Sequence, residues 1–255
     1  MAKLGIQLYT VRDRLAKNYA ETVKAVREIG YDGVELPGGV MDHMEAVQLH
    51  NLLSDLKLAL IGIVFDHKDL ANHMEQVISY CKTSLCTTVL YPYIPDDLRR
   101  TEHEYRETAK QINDFGKTLA DHGIRMLYHT HGYEFKSTGS VTGLDILFQY
   151  FKPDNVGLEI DVYWVEYGGC DAVKFVEQYV HLSPLIHVKD YTGKFIDTEV
   201  GCGSIDMPQI IRIGLSHNVE WFIVEQESFT MDTLESAKIS YNNVRKLLDT
   251  EGRRQ

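Results

Sequence analysis

Eight times along this chain a short apolar run gives way to an amphipathic stretch, and the alternation never breaks. The apolar runs fall at residues 4–8, 33–36, 59–64, 87–90, 124–128, 156–160, 185–188 and 221–224. Helix-favouring segments lie between and after them, near 21–29, 43–57, 69–82, 102–122, 142–151, 171–180, 207–216 and 232–249. One of these shows its buried face plainly: Tyr105, Ala109, Ile112, Phe115 and Leu119 recur at helical spacing with charged residues between. Glycine follows several helices, as in Glu28-Ile-Gly30-Tyr-Asp-Gly33 and Ala120-Asp-His-Gly123, where a left-handed residue can close the last turn. Eight strand–helix units without a long linker predict an α/β fold, a closed (β/α)8 barrel rather than an open doubly wound sheet. One such barrel fills a chain of 255 residues, so a single domain over residues 1–255 is expected.

Charge and cysteine content narrow the function classes. The chain holds 26 basic and 37 acidic residues, a net charge of −11, which argues against nonspecific affinity for a nucleic-acid backbone. Cys81, Cys86, Cys170 and Cys202 show no Cys-x-x-Cys spacing and read as reduced thiols. No run approaches the roughly 18 apolar residues of a membrane span, and the N-terminus lacks the apolar segment of a signal peptide. A cytoplasmic protein that engages neither membrane nor nucleic acid is expected. The glycines form neither a GxGxxG dinucleotide fingerprint nor a GxxxxGK[ST] phosphate loop.

Chemistry concentrates where the last four apolar runs end. His129-Thr-His131-Gly-Tyr-Glu134 follows the fifth, and Glu159-Ile-Asp161 closes the sixth. His187-Val-Lys189-Asp190 closes the seventh, and Glu225-Gln-Glu227 follows the eighth. In a barrel of this kind the carboxyl ends of the strands converge on one mouth, so four such patches describe a ring of oxygen and nitrogen donors suited to a divalent metal. Asp161 is a ligand candidate, with a helix or turn cap as the alternative, and Trp164 beside it suits a pocket wall. His187 closes an apolar strand in register with Asp161. Lys189, two residues on, faces the same way and can steady a substrate oxygen or an enolate. Glu225 is preferred to Glu227 as a ligand because it lies nearer the buried strand, where an unpaired carboxylate is costly. The first patch leaves two arrangements open. Either Glu134 completes the metal sphere with His131 as acid/base, or His131 binds and Glu134 contacts substrate. Three carboxylates and one imidazole form a hard donor set, suited to one divalent ion, Mn²⁺ foremost, with Mg²⁺, Co²⁺ or Zn²⁺ as alternatives. Gln7, Tyr9 and Glu35, at the first two strand ends, and His129 and Glu227 join Trp164 and Lys189 as candidate substrate contacts.

These motifs resemble the sugar phosphate isomerase/epimerase family of xylose isomerase-like TIM barrels. The likeness runs from Gly5-Ile-Gln-Leu-Tyr-Thr-Val-Arg-Asp13 and Ile29-Gly-Tyr-Asp-Gly-Val-Glu-Leu36 through Tyr128-His-Thr-His-Gly-Tyr-Glu-Phe135 and Leu158-Glu-Ile-Asp-Val-Tyr-Trp164. It continues through Gly168-Gly-Cys-Asp171, Ile186-His-Val-Lys-Asp190, Val200-Gly-Cys-Gly-Ser-Ile-Asp206 and Ile223-Val-Glu-Gln-Glu227. By position the resemblance implies one metal held by Glu134, Asp161, His187 and Glu225. Two departures stand out. Tyr128 occupies the strand end where the ketose 3-epimerase branch has its first ligand, and Val64-Phe-Asp66-His67 replaces the usual histidine-bearing end of strand three. The endonuclease branch carries a histidine three residues after the aspartate, where this chain has Trp164, and an Asp-x-His pair after strand seven that neither Asp197 nor Asp206 supplies.

The resemblance implies removal of a proton next to the carbonyl of a sugar or keto-sugar, with the metal stabilising the enediolate and Glu134, His131, Lys189 and Glu225 as the catalytic candidates. Returning the proton elsewhere makes an isomerase or epimerase, the activity expected here. Expelling a β-leaving group makes a dehydratase or 3-keto-glycoside lyase, the alternative. A catalytically silent sugar-binding barrel is the alternative of another class, and the aromatic-rich surface of such barrels admits a homodimer.

Overall fold

The computed structural model describes residues 3–253, so residues 1, 2, 254 and 255 of the expected domain lie outside the described residues. Eight parallel strands close into a barrel: β1 (Lys3–Gln7), β2 (Gly33–Leu36), β3 (Ala59–Val64), β4 (Thr88–Tyr91), β5 (Arg125–His129), β6 (Val156–Asp161), β7 (Leu185–Val188) and β8 (Trp221–Val224). Each strand pairs with its neighbours in sequence, and β8 closes on β1 through pairs such as Gly5 with Ile223. Eight helices cover the outside: α1 (Tyr19–Ile29), α2 (Ala46–Leu56), α3 (Met74–Ser84), α4 (Glu102–Ala120), α5 (Gly143–Tyr150), α6 (Ala172–Tyr179), α7 (Met207–Ser216) and α8 (Thr233–Gly252). The expected (β/α)8 barrel is the observed fold. Among the described residues no helix is long and apolar enough to cross a membrane.

One expected helix is divided. The stretch read as 69–82 is a short helix, His67–Asn72, followed by α3, with His73 between them at φ −132° and ψ 23°. The short piece has its own start signal, a reciprocal capping box between Asp66 and Asp69, and belongs to the loop that follows β3. Further small elements occupy other loops of the same rim. They are helical turns at Arg12–Leu15, Val40–His43 and Val162–Tyr167, and hairpins pairing Ser137–Thr138 with Val141–Thr142 and Asp190–Thr192 with Ile196–Thr198. All follow carboxyl ends of strands, which is where barrels of this type elaborate their function.

The core has two shells. Leu4, Ile6, Val34, Tyr128, Ile160, Ile186 and Phe222 belong to the larger cluster packed between strands and helices. Ile61, Leu90, Leu127, Leu185, Trp221 and Ile223 form a separate cluster inside the barrel. Two glycines make room for it. A Cβ on Gly5 would lie 2.2 Å from Ile61 Cδ1, and one on Gly33 would lie 2.8 Å from both Trp221 Cη2 and the Ala59 carbonyl oxygen. We expect Gly33→Ala to cost about 1–3 kcal/mol by overpacking, measured by urea unfolding. An unchanged midpoint would mean that Trp221 repacks freely. Side chains alternate along each strand, so apolar Leu127, Leu185 and Ile223 at depth give way two residues later to His129, His187 and Glu225 at the mouth.

Candidate functional site

Above that apolar floor a cavity of about 440 Å³ opens at the rim, lined in part by Gln7, Tyr9, Glu35, His129, His131, Glu159, His187, Glu225 and Glu227. Three residues that line it, His129 ending β5, His187 within β7 and Glu225 just past β8, and the buried Asp161 ending β6 each present one donor atom. These four atoms lie within 4.8 Å of one another.

Asp161 serves two purposes at once. Its Oδ1 accepts from the Trp164 N–H at 3.0 Å and starts the helical turn Val162–Tyr167, so the cap reading holds. Its Oδ2 is buried without a hydrogen-bond partner. That oxygen is 4.0 Å from His129 Nε2 and 4.0 Å from His187 Nδ1. A buried carboxylate oxygen left unpaired is expensive, and a cation between these atoms removes the cost.

Two further carboxylates brace the imidazoles from the far side. Glu159 Oε2 accepts from His129 Nδ1 at 2.9 Å, which leaves Nε2 to face Asp161. His187 Nε2 is 3.2 Å from Glu35 Oε1 and 3.2 Å from Glu159 Oε1, while its Nδ1 is 3.0 Å from Glu225 Oε2. Gln7 Nε2 donates to Glu35 and fixes that carboxylate in turn. A histidine whose outer nitrogen meets a carboxylate is oriented as metal ligands usually are. First-row dications bind such donors at about 2.0–2.2 Å, which spaces neighbouring donors by about 3–4 Å. The donor set fits a divalent ion.

Charge in the group is strongly perturbed. Burial, and then the neighbouring Glu159, pushes the Glu35 carboxyl up to about 8. Burial and the adjacent His187 charge pull His129 down to about 3, so it is neutral with a free lone pair. Burial opposes a charge on His187, but Glu159 and Glu35 outweigh it and hold this imidazole protonated. Burial likewise opposes the Glu225 carboxylate, yet the His187 hydrogen bond and the Lys189 charge hold it below the usual range. Burial raises Asp161, against the pull of Lys189. A dication among these donors would take the place of protons now shared between carboxylates and imidazole.

Glu134 does not join the group. Tyr128 faces the layer behind β5, against Phe151, and its hydroxyl donates to Glu134 Oε1 at 2.7 Å. The other oxygen accepts from the His131 N–H at 3.0 Å, so Glu134 holds the loop rather than the cavity, and burial pushes its carboxyl up to about 8. In space it is His129, the next residue after Tyr128, that completes the ring with Asp161, His187 and Glu225. His131 lines the cavity with its ring stacked on Tyr133 and tilted against Trp164. Its Nδ1 is buried without a partner, and burial holds it well below the ordinary histidine value.

Lys189 is 1% exposed, donates to Glu227, and lies over the rings of Tyr163 and Trp164 at 4.7 and 4.9 Å. Burial opposes its charge, but Glu225 and Asp161 outweigh burial and keep it a cation. Two residues of the same loop act as anchors. Asp190, fully buried, accepts from the N–H groups of Tyr191, Gly201, Gly203 and Ile205 at 2.9–3.2 Å. Asp197 accepts from Glu227 N–H at 2.8 Å and Ser228 N–H at 3.0 Å, tying the hairpin to the end of β8. The sequence reading gave Asp66, Asp69 and Tyr93 no role, yet all three line the cavity. Their signal was only position, just past the ends of β3 and β4.

A family model described as xylose isomerase-like TIM barrel matches residues 23–247. An inosose dehydratase from Clostridium botulinum is 27% identical over 146 residues, covering 49% of this chain and 48% of that protein. The chain thus spans about half the length of that curated relative. Among solved structures, a sugar phosphate isomerase/epimerase from Parabacteroides distasonis superposes with a TM-score of 0.83 at 18% identity, covering 98% of this chain and 96% of its own. The IolI protein with a bound zinc atom gives 0.76 at 13% identity, covering 98% and 99%. At such identities the structural likenesses speak to the fold.

Proposed function

The chain belongs to the xylose isomerase-like TIM barrel family, and from that premise we propose that it is a metal-dependent enzyme acting beside the ketone of a polyhydroxylated substrate. It removes the proton next to the carbonyl and then expels a β-leaving group, as a dehydratase or related lyase does. The observation that carries this reading is the unpaired Asp161 Oδ2, buried among His129, His187 and Glu225 at the base of the cavity. A catalytically silent sugar-binding barrel leaves that oxygen unexplained. Elimination rather than isomerisation is favoured by the likeness to an inosose dehydratase. Isomerisation or epimerisation is the second reading, in keeping with the P. distasonis neighbour, and it shares the first step.

His129, Asp161, His187 and Glu225 would hold the ion, and two imidazole nitrogens with two carboxylate oxygens favour Mn²⁺, Co²⁺ or Zn²⁺ over Mg²⁺. When bound, it supplies Lewis-acid polarisation of the ketone. We assign the proton to His131, because its ring lines the cavity and is kept neutral, and therefore has a lone pair to accept it. Lys189 stays charged beside Asp161 and Glu225, and offsets their negative charge. Glu35 and Glu159 keep both imidazoles aimed at the cavity.

Protein stripped of metal and reloaded with Mn²⁺, Co²⁺ or Zn²⁺ should retain close to one ion per chain. Failure to retain any of them overturns the reading. Loaded protein should exchange the α-proton of an inosose or a ketose for deuterium. His131→Ala should keep the ion while exchange falls by roughly 10²–10⁴-fold, the range for a lost acid–base group. Appearance of an unsaturated product separates elimination from epimerisation.

A further inference from the structure

Resting on the proposed enolising function, we infer that the substrate is an uncharged polyhydroxylated ketone, and that the cavity excludes phosphorylated or carboxylated sugars. Six carboxylates line the cavity: Glu35, Asp66, Asp69, Glu159, Glu225 and Glu227. Among the described residues that line it there is no lysine or arginine. Two cations near the rim are already engaged. Lys189 donates to Glu227, and Arg12 donates to the carbonyl oxygens of Tyr9 at 3.0 Å and Glu227 at 2.6 Å while covering the Tyr9 ring. Asp66 and Asp69 lie outside the candidate donors and the carboxylates that brace them, so negative charge remains on that wall with a dication bound.

The wall after β3 shows the same bias in its backbone. A phosphate is usually received by free N–H groups or by arginine. Here the Asp69 N–H donates to Asp66 Oδ1 at 2.9 Å and the Asp66 N–H donates to Asp69 Oδ2 at 3.2 Å, so carboxylates already satisfy the donors an anion would need. These carboxylates suit hydroxyl groups, which donate to them. Tyr9 and Tyr93 line the cavity and are 43% and 47% exposed. Their rings offer an apolar surface for the C–H face of a sugar or cyclitol ring. A substrate rich in hydroxyls, apolar on one face and without charge matches both parts of the wall.

Calorimetry with the metal-loaded protein can compare D-fructose with D-fructose 6-phosphate, and an inosose with its phosphate ester. The uncharged partner of each pair should bind at least about tenfold more tightly, since like charges across an interface are strongly disfavoured. Equal or tighter binding of the ester overturns the inference, and so does binding of neither. Asp66→Asn with Asp69→Asn keeps helix-capping side chains, so the fold should persist. This double variant should weaken the uncharged ligand and narrow its preference over the ester. An unchanged ratio overturns the role given to these carboxylates. Deuterium exchange is scored separately. An uncharged ketone that binds without exchanging its α-proton overturns the enolising function and leaves the substrate class standing.

Discussion

Asp161→Asn should abolish metal loading and leave the protein folded. The substituted amide oxygen can still accept from the Trp164 N–H, so the turn Val162–Tyr167 keeps its cap. What disappears is the negative charge at Oδ2, the atom 4.0 Å from both His129 Nε2 and His187 Nδ1. Removing an outer partner of a metal ligand costs about 10–100-fold in affinity, so neutralising a direct donor should cost more than about 100-fold. Turnover should fall in step. Elemental analysis after desalting reads the first effect, and thermal unfolding of both proteins in chelator checks the fold. Full retention of the ion by this variant removes Asp161 from the donor set. Glu134→Gln is the matched comparison. Its side chain touches Tyr128 and the His131 backbone, so the ion should stay. If it leaves instead, Glu134 takes the place here given to His129.

Asp190→Ala should be the most destabilising single change near the rim, by about 3–5 kcal/mol. Its carboxylate gathers four backbone N–H groups, from Tyr191, Gly201, Gly203 and Ile205, with no exposure to solvent. Each buried donor left unsatisfied costs about 1–3 kcal/mol, and entering water recovers part of that. The space around it is equally committed: a Cβ on Gly203 would lie 2.1 Å from Asp190 Oδ1. Urea unfolding measures the loss, and hydrogen exchange across residues 190–205 locates it. Asp190→Asn, which keeps one acceptor oxygen, should lose less. A cost below about 1 kcal/mol for the alanine variant would show that the loop is held by other contacts.

The barrel was legible because each strand is a separate apolar run with its own helix, and each expected strand end falls within a single residue of the observed one. The helix break at His73 was not legible. The segment 69–82 reads as one amphipathic stretch, and only the Asp66–Asp69 box signals a separate short helix. At the mouth the difficulty was parity. Tyr128 and His129 are neighbours at the end of β5, and a shift of one residue sends a side chain to the opposite face. Leu127, in the interior cluster, sets that parity so that His129 faces the cavity and Tyr128 the helices. The motif His129-Thr-His131-Gly-Tyr-Glu134 does not reveal it, since three of its residues carry ligand chemistry. Asp161 was ambiguous for a different reason. A cap and an unpaired donor looked like rival readings, and its two oxygens divide them. Asp66 and Asp69 were legible only by their position past the end of β3, because their place on the cavity wall depends on the path of a loop.

The chain carries two tryptophans, and the barrel sets them at opposite ends. Trp221 closes the floor, where the missing side chain of Gly33 makes room for its ring and Lys3 Nζ lies 4.9 Å from its centroid. Trp164 stands at the mouth, its ring 5.1 Å from His131 and 4.9 Å from the Lys189 ammonium. The molecule therefore contains two independent optical reporters. Occupation of the mouth should alter the emission of one indole, while loosening of the floor should alter the other. Replacing either by phenylalanine leaves a single-colour protein in which ligand capture and loss of structure can be timed separately, without any attached dye.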